Sequence, residues 1–250
     1  KIYIPTLRGL RPVQISGSDN KSFSNSNDNY FHRTVYDYFS KGEVIANSIY
    51  AGLNLYSDLQ EYSHGDTNQQ AQLSNFENFL SITFFNGESV KLTPRIKKDV
   101  PFVKIGNREA PIFDLGDGIQ SIIILTYPLF FNQNENLKIF IEEPETHLHP
   151  GYQRIFFETL LRPEFNSFQY FITTHSNHFL DITLDEKSIS VYTFEQIKDT
   201  QQKESFQITN VENSDTNILS LIGVKNSSVF LSNCTIWIEG ITDRIYLRKY

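Results

Sequence analysis

Leu137-Lys138-Ile139-Phe140-Ile141-Glu142-Glu143-Pro144-Glu145-Thr146-His147-Leu148-His149-Pro150 decides how the chain is read. Leu137–Ile141 is a short apolar run broken only by Lys138. Strands buried on both faces read this way. Pro144 blocks a helix and biases Glu143 toward extended backbone. The spacing therefore predicts a parallel strand with Glu142 and Glu143 at its carboxyl end, where open α/β sheets bind ligands. Two adjacent acids there suit metal-assisted chemistry. One holds a magnesium ion through water, and the next orients or deprotonates the attacking water. Read alone, the same pair also fits a solvated acidic turn.

The nine residues Glu142–Pro150, EEPETHLHP, resemble the Walker B and D-loop segment of ABC-type ATPases. The similarity is to the branch containing OLD-family (overcoming lysogenization defect) nucleases and SMC-like proteins. It implies that Glu142 holds magnesium and that Glu143 is the catalytic base. The first acid is Glu where many ABC proteins have Asp. A longer side chain still reaches a metal through water.

Working outward, Asp114–Ser121, DLGDGIQS, precedes the apolar Ile122–Phe131, which reads as helix or strand. Gly116 and Gly118 permit close backbone approach, and a helix starting just after them aims free N–H groups at an anion. A glycine turn before a core helix is the plain alternative. Its place before Walker B resembles the ABC signature. That assigns nucleotide contacts, across a subunit boundary, to Gly116, Asp117, Gly118 and Gln120. The usual Ser aligns with Gly116, so backbone donors carry the role.

After Walker B, Tyr152–Leu161 is helical, with Tyr152, Ile155, Phe156 and Leu160 on one stripe, and Phe168–Thr173 is the next core strand. Thr174-His175-Ser176 follows, then a helix from Asn177. His175 resembles the ABC switch histidine, although a bare THS also fits a helix cap. Imidazole suits a sensor because one nitrogen donates while the other is oriented. His147, His149, His175 and His178 fall close in sequence, but the D-loop pattern already accounts for two of them and Cys234 is distant. A structural zinc is therefore not the reading.

Upstream, Lys1–Pro12, KIYIPTLRGLRP, predicts an edge strand and a turn, with Arg8 and Arg11 flanking Gly9. It is similar to a stretch of OLD-like ATPases that follows the nucleotide-binding loop. Gln14–Asn29 is a polar loop. Tyr30–Phe39, Val44–Tyr62 and Ala71–Leu80 predict helices, with a polar break at His64–Gln69. Ser81–Phe85 predicts a strand, Asn86-Gly87 a hairpin turn, and Ser89–Leu92 its partner. Phe102–Ile105 and Ala110–Phe113 predict a second hairpin around Gly106-Asn107. Downstream, Ser188–Phe194 and Ser205–Asn210 predict strands, and Asp215–Ile222 a helix. Cys234–Asp243, CTIWIEGITD, resembles the first TOPRIM motif, which implies a metal-binding, catalytic Glu239. A helix-capping turn is its plain alternative.

With 250 residues, 39% hydrophobic and 21 of them Phe, the chain supports a sizeable core. A net charge of −7 argues against a generally basic nucleic-acid-coating protein. One cysteine excludes an internal disulfide framework and suits a cytoplasmic location. No run suggests a membrane span. No G-x-x-x-x-G-K-[ST] occurs, the chain opens on a strand, and it closes within a predicted helix. Both ends read as cut, with the P-loop expected upstream of Lys1.

The resulting expectation is an α/β fold. It comprises an ABC-type P-loop ATPase core of mixed and parallel sheet with flanking helices over 1–232, a helical insertion at about 28–85, and the start of a TOPRIM domain at 233–250. The resemblance implies ATP and Mg2+, with a second divalent metal at the TOPRIM site. It implies head-to-tail homodimers or larger oligomers, DNA, and a role in bacterial anti-phage defence. A second defence-system protein or retron RNA–DNA would be a further partner, as in Gabija-like or retron-associated effectors. An ATPase without nuclease activity is the alternative.

Overall fold

The computed structural model describes residues 1–9, 34–35, 39, 48–52, 54–95, 100–183, 186, 188–198 and 204–211. They fall into two units divided after Ile182. The first is built on a parallel sheet of β1 (Ile2–Ile4), β5 (Lys138–Glu142) and β6 (Gln169–Thr173), in the order β1-β5-β6. Its register pairs Ile4 with Ile141 and Glu142 with Thr173. Side chains alternate across a strand, so Ile2, Ile4, Ile139 and Ile141 share the buried face. Phe140 stacks on Phe171 on the other face, with ring centroids 4.8 Å apart.

Helices α1 (Leu55–His64) and α2 (Thr67–Phe84) precede an antiparallel sheet. That sheet comprises β2 (Val90–Arg95), β3 (Val100–Ile105) and β4 (Arg108–Pro111). The Gly106-Asn107 hairpin forms as the sequence predicts. Helices α3 (Asp117–Phe131), α4 (Pro150–Leu160) and α5 (Asn177–Thr183) complete the set. The buried side of α4 includes Gln153, Phe156, Phe157 and Leu160. Ile122–Phe131 lies within α3. A helix apolar all round must be buried, and every residue of Gln120–Leu129 is. Phe76 is the hub between α2 and α3, ringed by Phe79, Tyr127, Phe130 and Phe131 at 5.2–6.2 Å between centroids.

Four local expectations are corrected. Ser81–Phe84 ends α2 and is not a strand, because Phe76, Leu80 and Phe84 continue one helical stripe into the core. Asn86 and Gly87, at φ 52° and 83°, end that helix instead of turning a hairpin, and the Gly87 N–H returns to the Ser81 carbonyl at 2.9 Å. The helix also starts earlier than the apolar pattern suggests. Asp66 and Gln69 form a reciprocal capping box at Thr67. Finally, Ile49 is not helical but bridges Tyr3 beside β1. Gly52 separates it from α1 at φ 101°, where an added Cβ would lie 2.8 Å from Ile124 Cδ1.

The second unit contributes an antiparallel hairpin, β7 (Val191–Lys198) with β8 (Glu204–Val211). Phe194 opposite Ile208, with Tyr192 and Phe206, gives it one exposed apolar face. The predicted helix at 215–222 and the TOPRIM-like residues 233–250 lie outside the described residues. No helix among the described residues is long and apolar enough to cross a membrane.

Half-buried Asp58 on α1 has its pKa pushed up to about 6, by burial first and then by Glu61, against a hydrogen bond from Tyr127. An unfolded Asp titrates near 3.8. The raised folded pKa means that the folded chain holds the extra proton. Its stabilising effect is complete below the unfolded value and is lost as pH rises through about 6. Asp58→Asn should therefore gain on wild type between pH 4 and 7, by on the order of 1 kcal/mol once solvent screening is allowed for. Thermal melts across that range check the sign.

Candidate active site

Strand β5 delivers Glu142 as its last residue, on the face opposite Ile139 and Ile141. A continued strand would carry Glu143 to the buried face. Instead Glu143 adopts φ 39°, and the following turn contains His147 at φ 69°. Non-glycine residues rarely occupy this region, which costs about 1–3 kcal/mol each. The turn is over-determined. The Glu143 N–H donates to the Thr173 carbonyl at 2.9 Å, Thr146 N–H to Glu143 at 3.0 Å, and Leu148 N–H to Glu145 at 2.9 Å. Leu148 is buried and anchors the loop.

Arg8 is the main clamp. Its Nη1 donates to the Pro5 and Glu142 carbonyls at 3.0 Å each. Its Nη2 donates to Glu143 at 2.9 Å, Pro144 at 3.2 Å and Thr146 at 3.5 Å. The side chain is buried. Burial pushes its guanidinium down to about 10, while Glu145, Glu143 and Glu142 pull it back up, so it stays cationic at neutral pH. Arg8→Ala should cost about 3–5 kcal/mol, because it orphans several carbonyls and leaves the acids without their buried cation. Arg8→Lys should recover little, since an ammonium lacks the planar fork. Chemical denaturation of the full-length protein checks this, and a loss below about 1 kcal/mol would refute the clamp.

At the carboxyl ends of the strands, Glu142 Oε2 accepts from the Thr6 N–H and hydroxyl at 3.3 Å each. His175 Nε2 lies 3.5 Å from Glu143 Oε1, and the His175 side chain is 88% exposed. The structure thus brings Glu142, Glu143 and His175 to one edge. Glu145 Oε1 accepts from the His175 N–H at 2.6 Å. Gln153 Nε2 donates to the Leu148 carbonyl at 2.8 Å, and its Oε1 accepts from the Ser176 hydroxyl at 2.6 Å.

The glycine turn caps α3, with Gly116 at φ 95° and open space where a Cβ would stand. Gly118 lies against the turn that carries His147, where its Cβ would be 3.1 Å from the His147 carbonyl oxygen. Asp117 Oδ2 faces His147 Nδ1 at 3.9 Å, and the Ser121 hydroxyl donates to Thr146 at 3.5 Å. Gly116, Asp117 and Gly118 therefore sit at the helix start, whereas the Gln120 side chain is buried with its Nε2 3.4 Å from Asp117 Oδ1. His149 Nδ1 accepts from the Gly151 N–H at 3.2 Å, so this ring is a helix cap. Glu239 lies outside the described residues.

Among the described residues no three His, Cys, Asp or Glu side chains converge on a point that could hold a metal ion. Magnesium commonly takes one or two carboxylates and completes its shell with water and phosphate oxygens. Glu142, a carboxylate oriented by two donors at the strand end, fits that role.

Reading the sequence missed Arg8, Thr6, Glu145, Gln153 and Ser176. Arg8 lies 134 residues from the first acid it clamps. Its local signal is its place in the Lys1–Pro12 stretch, in the turn that follows β1.

The AAA ATPase domain family model matches residues 14–180. Endonuclease GajA of Bacillus cereus (strain HuB5-5) is 32% identical over 149 residues, which is 48% of this chain and 21% of that protein. The chain thus spans about a fifth of that relative. Two solved structures are similar in part. One comes from work on ATP-driven dimerization and DNA-stimulated activation of SMC ATPases, with a TM-score of 0.49 and 12% identity over 69% of this chain and 98% of that one. The other is an SmcHead bound to the C-winged helix domain of ScpA, with a TM-score of 0.42 and 11% identity over 62% and 50%. With the family model covering well over half of its length, this chain belongs to the AAA ATPase domain family.

Proposed function

We propose that this chain is the ATP-hydrolysing part of an OLD-type DNA endonuclease acting in bacterial anti-phage defence. The observation that carries the hydrolysis is the placement of Glu142, Glu143 and His175 together at the carboxyl edge of a parallel sheet. The nuclease assignment rests on the partial similarity to an endonuclease and on the TOPRIM-like Cys234–Asp243. The defence role rests on the OLD resemblance.

In this reading Glu142 is a magnesium ligand, directly or through water. The ion, when bound, neutralises charge on the phosphates and polarises the one transferred. Glu143 accepts the proton of the attacking water. Its left-handed turn aims the carboxylate along the sheet edge instead of into the core. His175 donates to the transferred phosphate, and its 88% exposed side chain can reach a nucleotide. The Gly116–Gly118 helix start offers N–H donors to an anion held by a second, head-to-tail copy.

The full-length protein tests the proposal in two assays on one preparation, Mg2+-dependent ATP turnover and nicking of supercoiled plasmid. Both activities are expected. ATP turnover with no cleavage under any metal would replace the proposal with an ATPase lacking nuclease activity.

A further inference from the structure

We infer that Glu145, the third acid of the EEPE run, is a positioning residue that sets the location of His175; the inference rests on the hydrolytic reading above. The contact is specific. Glu145 Oε1 takes the His175 backbone N–H at 2.6 Å, a charge-assisted bond thirty residues away in sequence. His175 has no comparable support from its own side chain, which is 88% exposed. The ring therefore inherits its place from the backbone. Without that bond the segment Thr174–Ser176 keeps the Gln153 contact on the Ser176 hydroxyl at 2.6 Å and bonds local to the turn and to the start of α5, none of which touches His175 itself.

Glu145 lies in the field of the Arg8 guanidinium, although its Oε2 is buried without a hydrogen-bond partner among the described residues, as is Arg8 Nε. Among the three acids acting on the Arg8 guanidinium, Glu145 is the strongest. Arg8 also fixes the backbone on both sides of Glu145, through Pro144 and Thr146. One buried cation thus sets the acidic turn, and the turn's third carboxylate sets the histidine. The 3.5 Å approach of His175 to Glu143 is the result. A residue with this function acts on hydrolysis only through His175.

That last statement gives the test, in the full-length protein. Glu145→Ala should lower kcat roughly 10- to 100-fold, the scale of a misplaced group, with KM for ATP within about threefold. Glu145→Gln should recover most of the loss, because an amide oxygen still accepts from the His175 N–H. Glu145→Ala combined with His175→Ala should be no slower than His175→Ala alone. Losses that multiply would overturn the inference. A second readout does not depend on activity: amide exchange of the peptide spanning Phe171–Phe179. Exchange should quicken in Glu145→Ala and stay at the wild-type rate in Glu145→Gln. Unchanged exchange in Glu145→Ala would overturn the inference even if turnover fell. Should His175→Ala and Glu143→Gln both hydrolyse ATP normally, the hydrolytic reading fails, and the exchange measurement still decides whether Glu145 holds His175.

Discussion

Glu143→Gln in the full-length protein is expected to bind ATP normally and to hydrolyse it at least about 100-fold more slowly, the scale of losing a general base. The amide matches the carboxylate in shape but does not accept the proton of the attacking water. Structural loss is an unattractive explanation for such a result. Arg8 grips this turn through backbone carbonyls, including that of Glu143 itself, and the Glu143 N–H to Thr173 bond is also main-chain. Neither depends on the Glu143 side chain. Binding of a fluorescent ATP analogue together with steady-state phosphate release separates the two steps. Turnover within a few-fold of wild type would remove Glu143 from the chemistry and leave the acidic pair as a solvated turn.

The second large effect belongs to the other activity. Glu239→Gln and Glu239→Ala should both reduce metal-dependent plasmid nicking by roughly 100-fold or more, with ATP turnover retained. The argument is from sequence, since Glu239 lies outside the described residues. Thr235–Ile238 reads as a buried strand, and Gly240 lets the backbone turn sharply after Glu239. The TOPRIM resemblance implies a magnesium ligand at that position, and an amide would be a poor one. If Glu239 only caps the helix that begins near Thr242, the glutamine variant should cut normally. That result would turn the reading toward an ATPase without nuclease activity.

The parallel strand and its acids were legible because short-range chemistry dictates them. An apolar run stopped by Glu-Glu-Pro marks a strand end, and the longer EEPETHLHP pattern, more than the acid pair alone, marked it as a site; Thr-His-Ser gained its reading from following that unit. The error at Asn86-Gly87 has an equally local cause. Two residues at positive φ suit a hairpin turn or a helix end, and what decides is whether the preceding segment buries a helical stripe. Phe76, Leu80 and Phe84 do so against partners on α3, which no window around Asn86 contains. The supporting roles of Arg8, Glu145 and Gln153 were hidden for a related reason. Each supports the site through a carbonyl, an amide N–H or a hydroxyl distant in sequence, and such contacts leave no side-chain pattern. A chain's chemistry can be written in one motif while the scaffold holding that motif is scattered.

Helix α3 has a mechanical consequence. It starts at the glycine turn, which bears on the His147 carbonyl, and is buried without interruption over Gln120–Leu129. Its far end, Phe130 and Phe131, is locked among the rings of α2. One helix thus joins the turn beside the acidic pair to the aromatic cluster roughly 20 Å away, and Pro128, which removes one hydrogen bond of its ladder, lies next to the cluster end.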